Sequence, residues 1–541
     1  MGEHSAEDRG VTRSNLVGGN YYFLLYGNME MTTIKILDTT LRDGEQTPGM
    51  SLTSREKLNI AKYLLTEVKV DIIEVASALV SGGEKKTVSE ICRWAKSAGM
   101  LNKIEILGFV DKNKSVDWLN SSGGKAINLL TKGSLKHLTM QLKKTPEEHI
   151  KNIQETVDYA KKQGVRTNVY LEDWSNGMLN SQDYVLKLTS ALSEMNIERI
   201  MLPDTLGILS PENTKNFIEI MTSEFPEVKF DFHAHNDYGL ATANTLSAVK
   251  AGATCVHVTV NSLGERAGNA SLDEVAAAIH DHTSFTTGIN EKKLFEISEL
   301  VSLYSGGTIS QNKPITGKNV FTQTAGIHAD GDKKGSLYMN LLIPQRFGRE
   351  RGYALGKLSG TASLEHNLER FGILLSAENK KKVLKRIKEM SDKKAVVTSG
   401  DLPFIVADVL DEPGERKLKI ESCLVASGKG VTPTASVVLE YNGEKFKAGA
   451  SGDGGYDAFM NALNKIAKKI ELKLPKLIDY EVRIPPGGET DAIVETVIVW
   501  QQNEKKFKTI GVHTDQVMAA VRATEKMLNI VARVNGCANE K

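Results

Sequence analysis

Cysteine is scarce and scattered: four residues in 541, Cys92, Cys255, Cys423 and Cys537, with no C-x-x-C pair. That spacing excludes a disulfide framework and a thiolate metal cluster, and it reads as a reduced, cytoplasmic setting. No apolar run approaches the ~18–20 residues needed to span a bilayer. Neither sign of charge dominates. With 68 Lys and Arg against 67 Asp and Glu the net charge is +1, which argues against nucleic-acid and membrane-surface partners. What remains is a large globular enzyme, long enough for roughly two to four domains with ample core.

Residues 1–30 are polar and irregular except for Tyr21-Tyr22-Phe23-Leu24-Leu25-Tyr26. That run is shorter than the roughly 7–15 apolar residues of a signal-peptide core and has no basic segment directly before it. We expect a disordered leader, of the kind an upstream start codon adds, with the fold beginning at Met31.

From Thr33 to about His282 the chain alternates β-rich runs with helical patterns. Strands are expected at Ile34–Leu37, Ile72–Val75, Ile104–Phe109, Ile127–Leu130, Thr167–Leu171, Ile200–Pro203, Phe230–His233 and Cys255–Thr259. Helices are expected at Thr53–Glu67, Thr145–Gln163, Asp183–Met195, Pro211–Phe225 and Gly239–Ala251. Eight alternating units over ~250 residues predict a closed (β/α)8 TIM barrel, whose chemistry sits where strands end and loops begin. Arg42, Asp43, Glu74, Glu172, Asp204, Thr205, His233 and His235 all fall at such places.

Two segments stand out. Leu37-Asp38-Thr39-Thr40-Leu41-Arg42-Asp43-Gly44-Glu45-Gln46 sets an Arg and acidic groups at a strand exit, and Phe232-His233-Ala234-His235-Asn236-Asp237 sets two imidazoles at i and i+2. In a strand those imidazoles share one side. A carboxylate with two imidazoles is a common ligand set for a divalent metal that keeps positions open for substrate. A lone histidine would more often be an ordinary hydrogen-bonded residue; the pair favours a metal.

The Asp-Thr-Thr-Leu-Arg-Asp-Gly-Glu-Gln opening, the His-Ala-His-Asn-Asp segment and Gly264-Glu265-Arg266-Ala267-Gly268-Asn269 resemble the 2-isopropylmalate, citramalate and homocitrate synthase family, from about Thr33 to the C-terminus. Ile106–Phe109, Tyr170–Asn176 and His328–Gly331 resemble the bacterial citramalate synthases most closely. The resemblance implies that Asp43, His233 and His235 bind the divalent ion (zinc, manganese, cobalt or magnesium), with Asn269 as a weaker oxygen ligand. It implies Thr205 on the substrate carboxylate and Glu172 near the acetyl-CoA methyl. His328 would be the base, reaching a partner subunit's barrel in a homodimer, with Tyr338 nearby. Arg42 beside the ion would stabilise an oxyanion; a salt bridge tying the strand end is its structural alternative. His328 in a turn with a solvated imidazole is likewise open, and His257 reads equally as a partner of the metal site or a packed core residue.

Substrate choice turns on the pocket for the 2-oxo acid's side chain. Leu107, Leu130 and Tyr170 would fill it with apolar bulk, suiting a methyl group and excluding isopropyl. Pyruvate is then preferred over 2-oxoisovalerate. Turned away, the same side chains would leave the pocket open.

Domains are expected at 31–300 (barrel), 301–411 (helical linker subdomains) and 416–541, an α+β regulatory domain with two pseudo-repeats. Val437–Gly449 parallels Val497–Gly511, each followed by an Asp and an apolar-periodic helix, Asp457–Lys468 and Asp515–Leu528. The resemblance implies feedback by a branched-chain amino acid, isoleucine for a citramalate product and leucine for isopropylmalate. Gly454-Gly455-Tyr456-Asp457 departs from the family's frequent Gly-Pro-Val-Asp, leaving the effector open; a purely dimerising domain is the plain alternative. Against the condensing enzyme stand a lyase or aldolase on the same barrel, which tends to carry a Cys-containing loop where this chain has Ser262–Arg266, and a silent scaffold, which the intact ligand set disfavours.

Overall fold

The computed structural model describes residues 32–335, 337–371, 373–392, 397, 402–409, 418–483, 494–502 and 505–536. The expected leader and the 411/416 domain boundary lie outside these residues. The chain divides into two compact units, residues 1–321 with 340–351, and 322–339 with 352–541.

In the first unit eight parallel strands close into a barrel: β1 Lys35–Asp38, β2 Ile72–Ser77, β3 Ile104–Phe109, β4 Ala126–Lys132, β5 Arg166–Glu172, β6 Ile200–Asp204, β7 Phe230–Ala234 and β8 Cys255–Val258. Closure is explicit in the register, where Leu37 of β1 pairs with Ile72 of β2 and with His257 of β8. Nearly every strand residue is buried, as expected when one face of a parallel sheet packs on helices and the other fills the barrel. All eight strands stand where the β-rich runs were read. The structure lengthens five of them by one to three residues, where polar ends such as Lys132, Glu172 and Asp204 still pair with neighbours, shifts β1 by one residue and ends β8 one residue early.

The outer helices start where local chemistry supplies caps. Thr53 and Glu56 form a reciprocal capping box before the helix Ser54–Tyr63, and Thr145 and Glu148 do the same before Pro146–Lys162, with Pro146 at the first helical position. Such caps satisfy backbone N–H groups that the helix leaves orphaned. The apolar stripes of these helices join the outer faces of the strands in one core that includes Ile60, Ile106, Leu129, Val157, Phe230 and Phe232. After the barrel, Arg346 donates to Asp281 and Glu291 and pins segment 340–351 to this unit.

The second unit holds helices Gly326–Lys333, Thr361–Arg370, Ala377–Asp392 and Leu402–Val409, three of them sharing a small core of Leu364, Leu368, Val383, Ile387 and Leu402. Downstream come two three-stranded antiparallel sheets, Leu418–Gly428/Val431–Tyr441/Glu444–Ser451 and Lys476–Arg483/Val494–Gln502/Lys505–His513. Each is followed by a helix, Gly455–Lys469 and Gln516–Gly536. The pseudo-repeat is therefore strand–strand–strand–helix, and the parallel stretches Val437–Gly449 and Val497–Gly511 fall on only its second and third strands. The opening strands carry polar residues at many positions and lack clean apolar alternation. Asn442 and Gly443, both at positive φ, turn the hairpin between Val431–Tyr441 and Glu444–Ser451, the I′ geometry that such a pair favours. Phe459, Leu463, Trp500, Met527 and Leu528 from both copies meet in one core.

Candidate active site

The period of two along each strand decides which side chains enter the barrel. On β4 the inward series is Asn128, Leu130, Lys132; on β5 Asn168, Tyr170, Glu172; on β7 and its exit Asp231, His233, His235. Register then sets them side by side, Leu130 against Tyr170 and Lys132 against Glu172.

At the mouth, Asp43, His233 and His235 converge and are all buried. Asp43 Oδ2 lies 3.3 Å from His233 Nε2 and 3.9 Å from His235 Nε2. Ligands at about 2.0–2.2 Å from one ion stand roughly 3–3.5 Å apart, close to this spacing. Burial alone would raise the Asp43 carboxyl, but Arg42, His233 and His235 outweigh it and hold it well below the usual carboxylate range. Burial lowers His233 against the pull of Asp43, and burial with the neighbouring His233 brings His235 down to about 4. An ionised carboxylate beside two unprotonated imidazoles is the donor state a divalent ion requires. Four of the nineteen buried polar side-chain atoms left without partners among the described residues lie here: Asp43 Oδ1, His233 Nδ1, His235 Nδ1 and Asn269 Oδ1. Asn269 pairs its backbone with His235, and its amide Nδ2 donates to the Leu263 carbonyl. Its placement explains Gly-Glu-Arg-Ala-Gly-Asn: Gly268 sits at φ +82°, and a Cβ there would overlap the Ser262 carbonyl. These residues fit a divalent metal.

A second acidic and sulfur set, Asp231, Cys255 and His257, lies deeper. Arg199 Nε already donates to Asp231 at 2.8 Å, so an ion there would meet a fixed positive charge.

Arg42 sits beside the metal ligands. Its Nε donates to Glu74 Oε2 (2.5 Å), Nη1 to Asp43 Oδ2 (2.9 Å) and Nη2 to the Tyr170 hydroxyl (3.3 Å). A guanidinium has five N–H groups, so two remain to face a ligand. Glu74 is held from its other oxygen by Asn128 Nδ2, and Asn168 donates to Asn128 in turn. The Arg42 guanidinium carbon stands 5.6 Å over the Tyr170 ring, within cation–π range.

Leu107 and Tyr170 are buried together, with Leu130 packed against them. Tyr170 is only 3% exposed; its ring faces the interior and does not turn away. Thr205 Oγ accepts from the Asp173 backbone N–H at 2.9 Å, which leaves its own proton to donate. Arg266 holds the Thr205 carbonyl at 2.8 Å and pairs with Asp237. Glu172 contacts Lys132 Nζ. His328 and Tyr338 belong to the second unit, with ring centroids 4.2 Å apart.

Lys132 was missed in the sequence. A lysine closing a strand reads as a solvated end, yet it is 7% exposed. The signal was its place two residues beyond Leu130 on the same inward series. Its backbone N–H donates to His149 Nε2 at 3.2 Å. Burial, then Lys144 and Lys132, bring His149 from its ordinary 6.5 down to about 4. A histidine lowered on folding adds stability that is complete above its unfolded value and is lost as pH falls from about 6.5 toward 4. We expect His149→Gln to flatten the fall in Tm across that window, by an equivalent of about 1–3 kcal/mol. Equal acid slopes for both proteins would refute this.

Family models match three successive stretches of the chain. An HMGL-like family model matches residues 33–301, a homocitrate synthase post-HMGL domain-like model residues 315–395, and a LeuA allosteric (dimerisation) domain model residues 396–532. The (R)-citramalate synthase CimA of Methanocaldococcus jannaschii is 36% identical over 501 residues, 92% of this chain and 99% of that protein. The chain belongs to the citramalate and 2-isopropylmalate synthase family. A putative (R)-citramalate synthase CimA of Archaeoglobus fulgidus is also 36% identical, over 92% of this chain and 99% of that one. So is the 2-isopropylmalate synthase of M. jannaschii, over 92% and 94%. These relatives are archaeal, where the motifs had pointed to the bacterial enzymes. Equal identity to both kinds of synthase leaves the choice of 2-oxo acid to the site. Among the described residues no helix is long and apolar enough to cross a membrane.

Proposed function

We propose that this protein condenses acetyl-CoA with pyruvate, releasing CoA and giving (R)-citramalate, the entry step of a pyruvate route to isoleucine. The observation that carries this reading is the apolar group of Leu107, Leu130 and Tyr170 inside the barrel, with Arg42 over the Tyr170 ring. Bulk at that point leaves room for a methyl group, and one or two extra carbons would have to displace side chains packed on all sides.

A divalent ion held by Asp43, His233, His235 and Asn269 would supply Lewis acidity and an anchor for a 2-oxo acid. The chain's own residues do the rest. Thr205 donates its free hydroxyl proton to the substrate carboxylate. Arg42 offers its two unspent N–H groups to the oxygen that gains charge when the keto carbon is attacked. Glu172, steadied by Lys132, stands where the acetyl methyl must lose a proton, and His328 with Tyr338, from the partner subunit of a homodimer, moves that proton. The new carbon–carbon bond takes the electron pair of the former C–H bond, and the keto oxygen is protonated. Water then cleaves the thioester and frees the thiol. The LeuA-type domain would bind a branched-chain amino acid, isoleucine for this product.

Thiol release from acetyl-CoA with added manganese, comparing pyruvate with 2-oxoisovalerate, tests the reading. Release with pyruvate alone supports it; release mainly with 2-oxoisovalerate would keep the site and make this a 2-isopropylmalate synthase. Tyr170→Ser should raise kcat/KM for 2-oxoisovalerate by about 10-fold or more, the worth of one or two methylenes in an apolar pocket. Unchanged selectivity in that variant would show that Tyr170 does not line the pocket.

A further inference from the structure

Beside its apolar cluster the barrel interior holds a connected set of buried polar side chains, and most of these have no part in the chemistry above. The Tyr170 hydroxyl lies 3.0 Å from His257 Nδ1, and His257 Nε2 lies 3.3 Å from Asp231 Oδ2. Asp231 accepts from Arg199, whose Nη2 also donates to both oxygens of Glu105 at 2.9 Å. Asp231, His257 and Glu105 are almost wholly enclosed.

Proton positions along this chain follow from its fixed end. Arg199 Nε donates to Asp231 Oδ2 at 2.8 Å, which fixes that oxygen as an acceptor. A carboxylate bonded to a guanidinium can only accept, so the facing His257 Nε2 must carry the proton. In the Nε2–H tautomer Nδ1 is the acceptor, and the Tyr170 hydroxyl, 3.0 Å away, donates down to it. The phenolic oxygen is thereby left as an acceptor toward Arg42 Nη2, at 3.3 Å. One orientation of donors runs from the active site to the barrel floor. Glu74 Oε2, 3.4 Å from the same hydroxyl, is the longer alternative acceptor for that proton.

We propose that the buried Asp231–His257 pair is a positioning device for the active site, acting through the Tyr170 hydroxyl to hold both the pocket wall and the Arg42 guanidinium. This role rests on the reading that Tyr170 lines the substrate pocket. It assigns His257, open in the sequence between a packed core residue and a partner of the metal ligands, to a third task. His257 also packs edge-on against Tyr170, with centroids 5.5 Å apart, so it fixes the ring as well as the hydroxyl.

The test is a double-mutant cycle on the full-length protein, reading kcat/KM for pyruvate and for 2-oxobutanoate, one methylene longer. His257→Leu should cost about 10-fold on pyruvate, the usual scale for an outer hydrogen-bond partner, and narrow the preference for pyruvate. His257→Asn, which returns an acceptor near the Nδ1 position, should recover most of the loss. In the Tyr170→Phe background His257→Leu should change kcat/KM by less than about twofold, since the group it acts through is gone. A histidine that merely fills the core would cost the same in both backgrounds, and that result, or unchanged selectivity in His257→Leu, overturns the positioning role. If His257→Leu does not fold, Asp231→Asn is measured in the same two backgrounds with the same expectations. Tyr170→Ser separates the two readings. If it leaves selectivity unchanged, the pocket assignment fails; if it relaxes selectivity while His257→Leu is additive, only the positioning role fails.

Discussion

Arg42→Lys should lower kcat/KM for the condensation by about 10²–10³-fold, the scale seen when one oriented donor to a developing oxyanion is removed. Charge is kept in this variant, so the loss would come from geometry. The guanidinium makes three bonds in three directions, to Glu74, Asp43 and Tyr170, and still presents two N–H groups to a ligand. A lysine ammonium is a compact charge with rotatable donors on a flexible stem and cannot span those partners in a fixed plane. It would settle against Glu74, which is fully buried, and withdraw from the substrate. Arg42→Ala is a poorer experiment, because it leaves a buried carboxylate uncompensated, and such losses commonly reach 3–5 kcal/mol of stability. Steady-state thiol release with a thermal melt as control checks the lysine variant. Activity within tenfold of the parent would make Arg42 the strand-end salt bridge that the sequence left open as its alternative.

How far the chain could be read depends on which contacts are local. The barrel strands were visible because each is a short apolar run bounded by a helical pattern, and the site because its polar residues sit at the ends of those runs. The metal set was legible from one strand: His233 and His235 at i, i+2 need no tertiary information to share a side. The polar floor was not. Arg199 and Glu105 are 94 residues apart, and Tyr170 and His257 are 87 apart; only the closed register brings them together. Tyr170 shows the difference within one residue. Its ring as pocket bulk is an expectation from the family pattern, but the contacts of its hydroxyl with Arg42 and His257 required β1, β5 and β8 to be placed. Lys132 stayed hidden because nothing in sequence separates a solvated strand-end lysine from one pressed on a neighbouring carboxylate. In the second unit, the opening strand of each repeat escaped notice for a related reason: Leu418–Gly428 is mostly exposed along its length, so burial left little periodic trace.

The largest effect expected at this site follows from Asp43. Asp43→Ala should abolish stable binding of a divalent ion and with it nearly all activity, while the fold is kept. Asp43 is the anionic member of a set whose other members, His233, His235 and Asn269, are neutral donors, and it already lies within 3.3 Å of His233 and 3.9 Å of His235. Removing it leaves two imidazoles and an amide, which bind hard divalent ions weakly. It also strips Arg42 of one of its three partners. The checks do not depend on turnover. Chelator-treated parent protein should rebind about one manganese or zinc ion per chain by elemental analysis. A metal concentration of 100 times Kd should stabilise it by about 2.7 kcal/mol, seen as a rise in Tm that is absent in the variant. Asn269→Ala should be graded, losing about 10–100-fold in metal affinity, as a peripheral donor would. Equal metal stoichiometry in Asp43→Ala and the parent would place the ion elsewhere. It would also leave the Nε2 atoms of His233 and His235 without the ligand role that their burial and their distances to Asp43 support.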